Sequence, residues 1–99
     1  MYGMIVQMLV VPGKRQELVA ILTEGTDAMP GCLSYVVALD AANPDAVWVS
    51  EAWESKASHT ASLELPQVKA AIARGRPLIA GMGTLVETQP VGGRGFVTG

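Results

Sequence analysis

The sequence predicts an α+β fold of the ferredoxin-like βαββαβ type, in which a four-stranded antiparallel sheet carries its helices on one face. Segments with the two-residue period of strands alternate with segments of helical period in the order strand, helix, strand, strand, helix, strand. The 99 residues are enough for one hydrophobic core and too few for two. We therefore expect one domain over residues 1–91 and a glycine-rich C-terminal tail over residues 92–99.

The first strand, expected over residues 2–11, is apolar on both of its faces, with Gln7 as its one strongly polar side chain. A strand of this kind is normally covered on both faces. The helices can cover only one face of the sheet. We therefore expect a homodimer in which a second copy packs sheet against sheet and closes a dimeric α+β barrel.

A helix is expected to begin near Lys14 and to end at Pro30-Gly31, which is followed by a strand over residues 32–39. A polar loop over residues 40–45 leads to a third strand over residues 46–54. The apolar stripe of the helix consists of residues at helical spacing: Leu18, Ile21, Leu22, Gly25 and Met29.

Ser55 is placed to cap a short helix through about Leu63, and a second helical piece is expected over residues 66–74. Gly75 and Pro77 interrupt that piece, so residues 78–80 are predicted to form a separate turn before the last strand, residues 82–88.

The composition excludes several classes of function. Seven basic residues against nine acidic ones leave no basic patch for nucleic acid or an anionic membrane, and no apolar run reaches the roughly 20 residues of a membrane helix. One histidine, one cysteine (Cys32) and no clustered carboxylates do not make a metal site, and no glycine-rich phosphate loop follows a strand. We expect a cytoplasmic protein without a metal or cofactor.

His59 is the candidate catalytic residue, because it is the only histidine and lies four residues into the helix that Ser55 caps. The helix dipole there disfavours imidazolium, so a neutral ring could accept a proton from a phenol or quinol. The alternative is a histidine that only packs or makes one structural hydrogen bond.

Four further residues are candidates for binding a substrate. Strand alternation places Glu51 and Trp53 on one face of the third strand and Trp48 on the other. Trp53 is a pocket wall or a core aromatic, and Tyr35 is a hydrogen-bond donor to substrate or an interface residue. A buried Glu51 would need a partner such as Arg74 or Arg76, or would act as a base. Arg76 could clamp an anionic group or simply face solvent.

Three short motifs resemble those of the antibiotic biosynthesis monooxygenase (ABM) domain family, and the resemblance extends from about Met4 to Pro90. It implies a dimeric α+β barrel with a ligand cavity between sheet and helices, and Trp53 matches the family's strand tryptophan. The motifs are Val11-Pro12-Gly13-Lys14, Pro30-Gly31-Cys32-Leu33-Ser34-Tyr35 and Glu51-Ala52-Trp53-Glu54-Ser55 with His59 after it.

The resemblance implies a cofactor-independent monooxygenase that uses molecular oxygen on an aromatic hydroxyl, quinol or polyketide-like substrate. A non-catalytic dimeric module for a small hydrophobic ligand and a non-redox isomerase are the alternatives, because one scaffold can serve several functions. The haem-degrading branch is disfavoured, because the first strand offers Gln7 where that branch has asparagine and its later histidine is missing. The second histidine of many members is also absent.

Overall fold

The computed structural model describes residues 1–24 and 28–96. The elements in chain order are β1 (Tyr2–Val10), α1 (Arg15–Thr23), β2 (Cys32–Leu39), β3 (Ala46–Trp53), α2 (Lys56–Ser62), α3 (Pro66–Gly75), a 3-10 turn (Arg76–Leu78) and β4 (Ile79–Thr88). All neighbouring strands are antiparallel, in the order β2-β3-β1-β4. The predicted ferredoxin-like α+β fold is confirmed.

The core lies between the helices and the central strands β1 and β3. Val47 and Val49 of β3 and Leu18 of α1 are fully buried, and Val6 and Val10 of β1 are nearly so. These strand residues alternate with outward ones, so their side chains all point to the helix side of the sheet. Burial of this set supplies the apolar free energy that holds α1 on the sheet.

The other face of the sheet has no helix on it. Val86, Ile5, Ser50 and Val36 are directly paired neighbours and form one row across all four strands on this face. The three apolar members of the row are 46%, 38% and 53% exposed in the order Val86, Ile5, Val36. Within the single chain, β1 is therefore covered only on its helix side.

Helix α1 is shorter than the sequence indicates, because it ends at Thr23 and not at Pro30-Gly31. The Thr23 hydroxyl donates to the backbone oxygens of Val19 (2.9 Å) and Ala20 (3.2 Å), and Glu24 already has an extended backbone. A hydroxyl bonded to the preceding turn competes with helix propagation. The prediction of a helix through Met29 is therefore wrong; Gly25 lies outside the described residues.

The last strand begins earlier than expected, since Ile79 already pairs with Val10 of β1. The predicted separate turn over residues 78–80 is therefore wrong for two of its three residues. Pro77 stands within the 3-10 turn, where the missing N–H costs little, and the chain enters the sheet immediately after it.

The β2–β3 connection is organised by the Asp40 carboxylate. It accepts hydrogen bonds from the backbone N–H groups of Ala42 and Asn43 (2.9 Å each), from the Trp48 indole (2.8 Å) and from the Gln7 amide (3.0 Å). These four donors lower the pKa of Asp40 to about 2, with the backbone donors contributing most. The loop thus depends on an ionised carboxylate.

Acid is expected to weaken this connection. Because the pKa of Asp40 is lower in the folded chain than in the unfolded one, its contribution to stability is present above the unfolded value of 3.8 and is lost as the pH falls towards 2. In D40N, melting temperature should change less steeply with pH over this interval. Thermal unfolding followed by circular dichroism, compared at several acidic pH values, measures the difference; parallel curves would contradict it.

Gly31, at the end of the loop before β2, packs closely against helix α2. Its φ is +81°, and a Cβ added there would lie 2.6 Å from the Cβ and Oγ of Ser58. Gly13 has a similar φ of +83° with nothing within 4 Å of its Cβ position, so it is a matched control for backbone strain alone. The two glycines therefore separate steric clash from strain.

G31A is expected to lower the free energy of unfolding by about 1–3 kcal/mol more than G13A does. Both variants force a side chain into the left-handed region, and only G31A must also displace Ser58. Urea denaturation of the two variants beside the unchanged chain gives the difference. Equal losses would show that α2 moves away without cost.

Candidate functional site

A cavity of about 320 Å³ lies between the sheet and the three helices. This volume is at the lower end of the roughly 300–1,000 Å³ that ligand pockets span. Its walls are mostly apolar, with side chains from β1, α1, α3 and β4 and from the segments before β2 and after α2: Met4, Met8, Leu18, Ile21, Leu22, Met29, Leu63, Val68, Ala71, Ile72 and Ile79. A cavity of this kind suits a small apolar molecule.

The polar chemistry of the cavity is concentrated around the Glu51 carboxylate. The Trp53 indole N–H donates to Glu51 Oε1 at 3.1 Å, and His59 Nε2 lies 3.8 Å from the same oxygen. The Glu51 side chain is 8% exposed and that of His59 17%. All three residues line the cavity, so a carboxylate, an imidazole and an indole meet there.

Strand register explains why these groups meet. Tyr35 of β2, Glu51 of β3 and Met4 of β1 are directly paired and point to the helix side as one row. Trp53 follows Glu51 by two positions, so it has the same orientation. Directly opposite side chains on one face are about 5 Å apart at their Cβ atoms, which places Tyr35 and Glu51 side by side in the cavity wall.

Helix α2 brings His59 over this row. The Ser55 hydroxyl accepts from the backbone N–H of Ser58 at 3.1 Å, which confirms the predicted N-cap. The imidazole packs at 5.4 Å from the Trp53 ring in an edge-on arrangement and at 5.5 Å from the Tyr2 ring. Two aromatic rings therefore fix the plane of the imidazole.

The electrostatic environment of His59 differs from the expected one, which was the positive N-terminal end of a helix dipole. Helix α2 has only seven residues and His59 is its fourth, so the ring is not at the N-terminal end of a long helix dipole. Its immediate electrostatic partner is the Glu51 carboxylate.

Burial shifts the two acidic groups of the cavity wall. It raises the pKa of Glu51, while the indole hydrogen bond from Trp53 and the nearby His59 act in the opposite direction. Burial also raises the pKa of Tyr35 to about 12, with the Glu51 charge adding to the shift. Tyr35 therefore remains a neutral phenol and a hydrogen-bond donor at ordinary pH.

Four of the five predicted site residues line the same cavity: His59, Trp53, Tyr35 and Glu51. Arg76 does not line it; this side chain is exposed in the 3-10 turn. An arginine partner for Glu51 is also not found, because Arg74 pairs with Glu24 at 2.8 Å and the partners of Glu51 are Trp53 and His59. That expectation is wrong.

The cavity residues missed from the sequence include the methionines Met4 and Met8 of β1. Their alternate spacing in the first strand was visible, but that strand is apolar on both faces, so its pattern did not say which face carries the cavity. Pairing with Glu51 and Val47 of β3 settles the side. Met side chains adapt to irregular gaps, so they suit the wall of a ligand cavity.

Among residues 1–24 and 28–96, no three His, Cys, Asp or Glu side chains group in a way that could hold a metal ion. In the same residues, no helix has the length and apolar character needed to cross a membrane.

The fold is shared with solved structures. A Chloroflexus aurantiacus protein named for the antibiotic biosynthesis monooxygenases is 57% identical, with a TM-score of 0.93 over 97% of this chain and 98% of that one. A Caulobacter crescentus protein of the same name is 22% identical, with a TM-score of 0.79 over 92% of this chain and 90% of that one. A conserved Methanosarcina mazei protein is 20% identical, with a TM-score of 0.78 over 89% of this chain and 90% of that one. At identities of 20–22%, structural similarity shows a shared fold and nothing more.

A ferredoxin-like domain with a mostly apolar cavity and an acid–imidazole pair in its wall defines a small-ligand-binding α+β protein. The sequence profile of the antibiotic biosynthesis monooxygenases matches residues 1–74, which is most of the chain. The chain belongs to the antibiotic biosynthesis monooxygenase family. A search among curated proteins returns no match.

Proposed function

We propose that this chain is a monooxygenase that acts, without a bound cofactor, on a small aromatic hydroxyl, quinol or polyketide-like compound. The observation that carries the proposal is the Glu51–His59 pair in the wall of an otherwise apolar cavity. Such a cavity holds a flat apolar molecule and presents one proton acceptor to it. Family membership and the name of the Chloroflexus relative support oxygen chemistry.

In this proposal His59 is the general base. It takes the proton of the aromatic hydroxyl, and Glu51 stabilises the imidazolium that forms. Loss of that proton makes the ring electron-rich enough to give electrons to oxygen. The substrate supplies all four electrons that O2 accepts: one oxygen atom enters the substrate, and the other leaves as water with two substrate hydrogens.

Trp53 and Tyr35 are the substrate-positioning residues of the proposal. The Trp53 ring is the flat surface next to His59, and the Tyr35 hydroxyl is a neutral donor for a carbonyl or hydroxyl oxygen of the substrate. Arg76 is left out of the proposed site, because it is exposed outside the cavity.

Oxygen uptake with anthrone as the probe tests the proposal. The expected reaction converts anthrone and one O2 into anthraquinone and one water, and reaction under 18O2 should place one heavy atom in the product. Binding of anthrone without oxygen uptake would favour the non-catalytic binding module. Conversion to an isomer in the absence of oxygen would favour the non-redox enzyme.

The proposal includes a homodimer in which the helix-free sheet faces of two copies meet. The row of exposed apolar side chains at Val86, Ile5 and Val36 supports it, because such a patch on a small domain is usually an interface. Native mass spectrometry should report twice the chain mass. In V36E, a charge placed in that row should shift the equilibrium to the monomer; an unchanged dimer would contradict this interface.

A further inference from the structure

We propose that the cavity selects neutral ligands that carry a hydrogen-bond donor and excludes anionic ones, with Glu51 as the residue that sets this selectivity. The inference rests on the proposed function, since it describes the ligand of the same cavity. It concerns the sign of the ligand's charge, which the assignment of His59 as a base leaves open.

Within residues 1–24 and 28–96, His59 is the one basic side chain of the cavity wall, and it already faces the Glu51 carboxylate. The acidic side chains of the wall are two glutamates, Glu51 in the interior and Glu24 at the exposed end of α1, and no lysine or arginine lines it within the same residues. Neither Arg74 nor Arg76 lines the cavity: Arg74 is bonded to the Glu24 carboxylate and Arg76 is exposed. A ligand carboxylate would enter a mostly apolar space with no lysine or arginine to pair with, and the basic side chain there, His59, already faces Glu51.

The charge of Glu51 affects the pKa values of acidic groups near it. The Glu51 charge contributes to raising the pKa of Tyr35 and of Cys32, although burial is the larger cause in both. An acidic group next to Glu51 is thus favoured in its neutral form. A ligand anion at the same place would meet the same field, since like charges in a water-poor cavity repel strongly.

The hydrogen-bonding groups of the wall complement a neutral hydroxyl. One oxygen of Glu51 already accepts from the Trp53 indole, and its second oxygen has lone pairs for a ligand donor. Within the described part of the chain, the Tyr35 hydroxyl has no hydrogen-bond partner, so it is available to donate to a ligand oxygen. A phenolic O–H, which both donates and accepts, matches this pair of groups.

Three probes of one ring size test the inference by isothermal titration calorimetry at mildly alkaline pH: 1-naphthol, 1-methoxynaphthalene and 1-naphthoate. We expect 1-naphthol to bind tightest. Naphthoate should bind at least about tenfold more weakly, because its charge faces the Glu51 carboxylate and meets no lysine or arginine in the wall. Methoxynaphthalene should also bind more weakly, because it has no donor to offer Glu51.

E51Q keeps the shape of the side chain and removes its charge, so it should reduce the difference between naphthol and naphthoate by about fivefold or more. E54Q is the matched control, because Glu54 is exposed, follows Trp53 directly and does not line the cavity. It removes an equal charge and should leave the difference unchanged. If E51Q fails to fold, the order of the three probes on the unchanged chain decides.

Naphthoate binding as tightly as naphthol would overturn the inference and leave a ligand cavity in place. An unaltered difference in folded E51Q would overturn the role of Glu51. Absence of binding by all three probes would contradict the proposed function itself, which distinguishes that failure from failure of the charge selectivity.

Discussion

Replacing Trp53 by alanine is expected to lower the free energy of unfolding by about 3–5 kcal/mol. The Trp53 side chain is only 1% exposed, and it is the largest of the fully buried side chains among the described residues. Its removal leaves a void beside His59 and also deprives the buried Glu51 carboxylate of its indole donor. Urea denaturation followed by circular dichroism measures the loss.

Trp48 provides the control for Trp53. It is also a β3 tryptophan whose indole donates to a carboxylate, that of Asp40, but it is only partly buried and lies on the opposite face. W48A should therefore cost clearly less than W53A. W53F, which keeps an aromatic ring but lacks the indole N–H, should fall between W53A and the unchanged chain. Equal losses in the two alanine variants would mean that the cavity wall contributes little to stability.

Replacing His59 by alanine is expected to reduce turnover of an aromatic hydroxyl substrate by about 10²–10⁴-fold, the usual contribution of a general base. The loss should fall on kcat, because the apolar walls that hold the ring system remain. Steady-state oxygen uptake over a range of substrate concentrations separates kcat from KM.

Folding and activity must be separated in that experiment. T60A alters the next residue on the same helix at an exposed position outside the cavity, and it should retain both fold and turnover. The free energy of unfolding of H59A should lie within about 1 kcal/mol of that of the unchanged chain. The His59 side chain makes no short hydrogen bond, so the variant loses only the ring contacts with Tyr2 and Trp53. Full turnover in folded H59A would remove the role of base from His59.

The strands were predictable because their signals are local. The bounds of β2 agree with the prediction at both ends, and the alternation in β3 correctly places Glu51 with Trp53 and opposite to Trp48. The C-terminal end of α1 could not be predicted from the helix-terminating residues Pro30-Gly31 alone. There a single hydroxyl, that of Thr23, bonds back to its own helix six residues before the expected end.

The candidate site was predictable in its residue types and not in its pairing. The solitary histidine and the strand tryptophan attract attention in the sequence, and both line the cavity. The partner of Glu51 depends on the position of α2 over the sheet, which is a tertiary relation with no local signal. Charge alone suggested an arginine, whereas an indole two residues away and an imidazole eight residues away satisfy the carboxylate.

Helix α2, which carries His59, has seven residues and is too short to be stable by itself. Its retention depends on the Ser55 cap, on the close approach of Gly31 and on the ring contacts of His59. We therefore expect its amide protons to exchange with deuterium through local opening, faster than those of β3. The fraction of molecules with α2 docked then sets an upper limit on the fraction in which imidazole and carboxylate face each other. If His59 is the base that we propose, the apparent rate of proton transfer scales with that population.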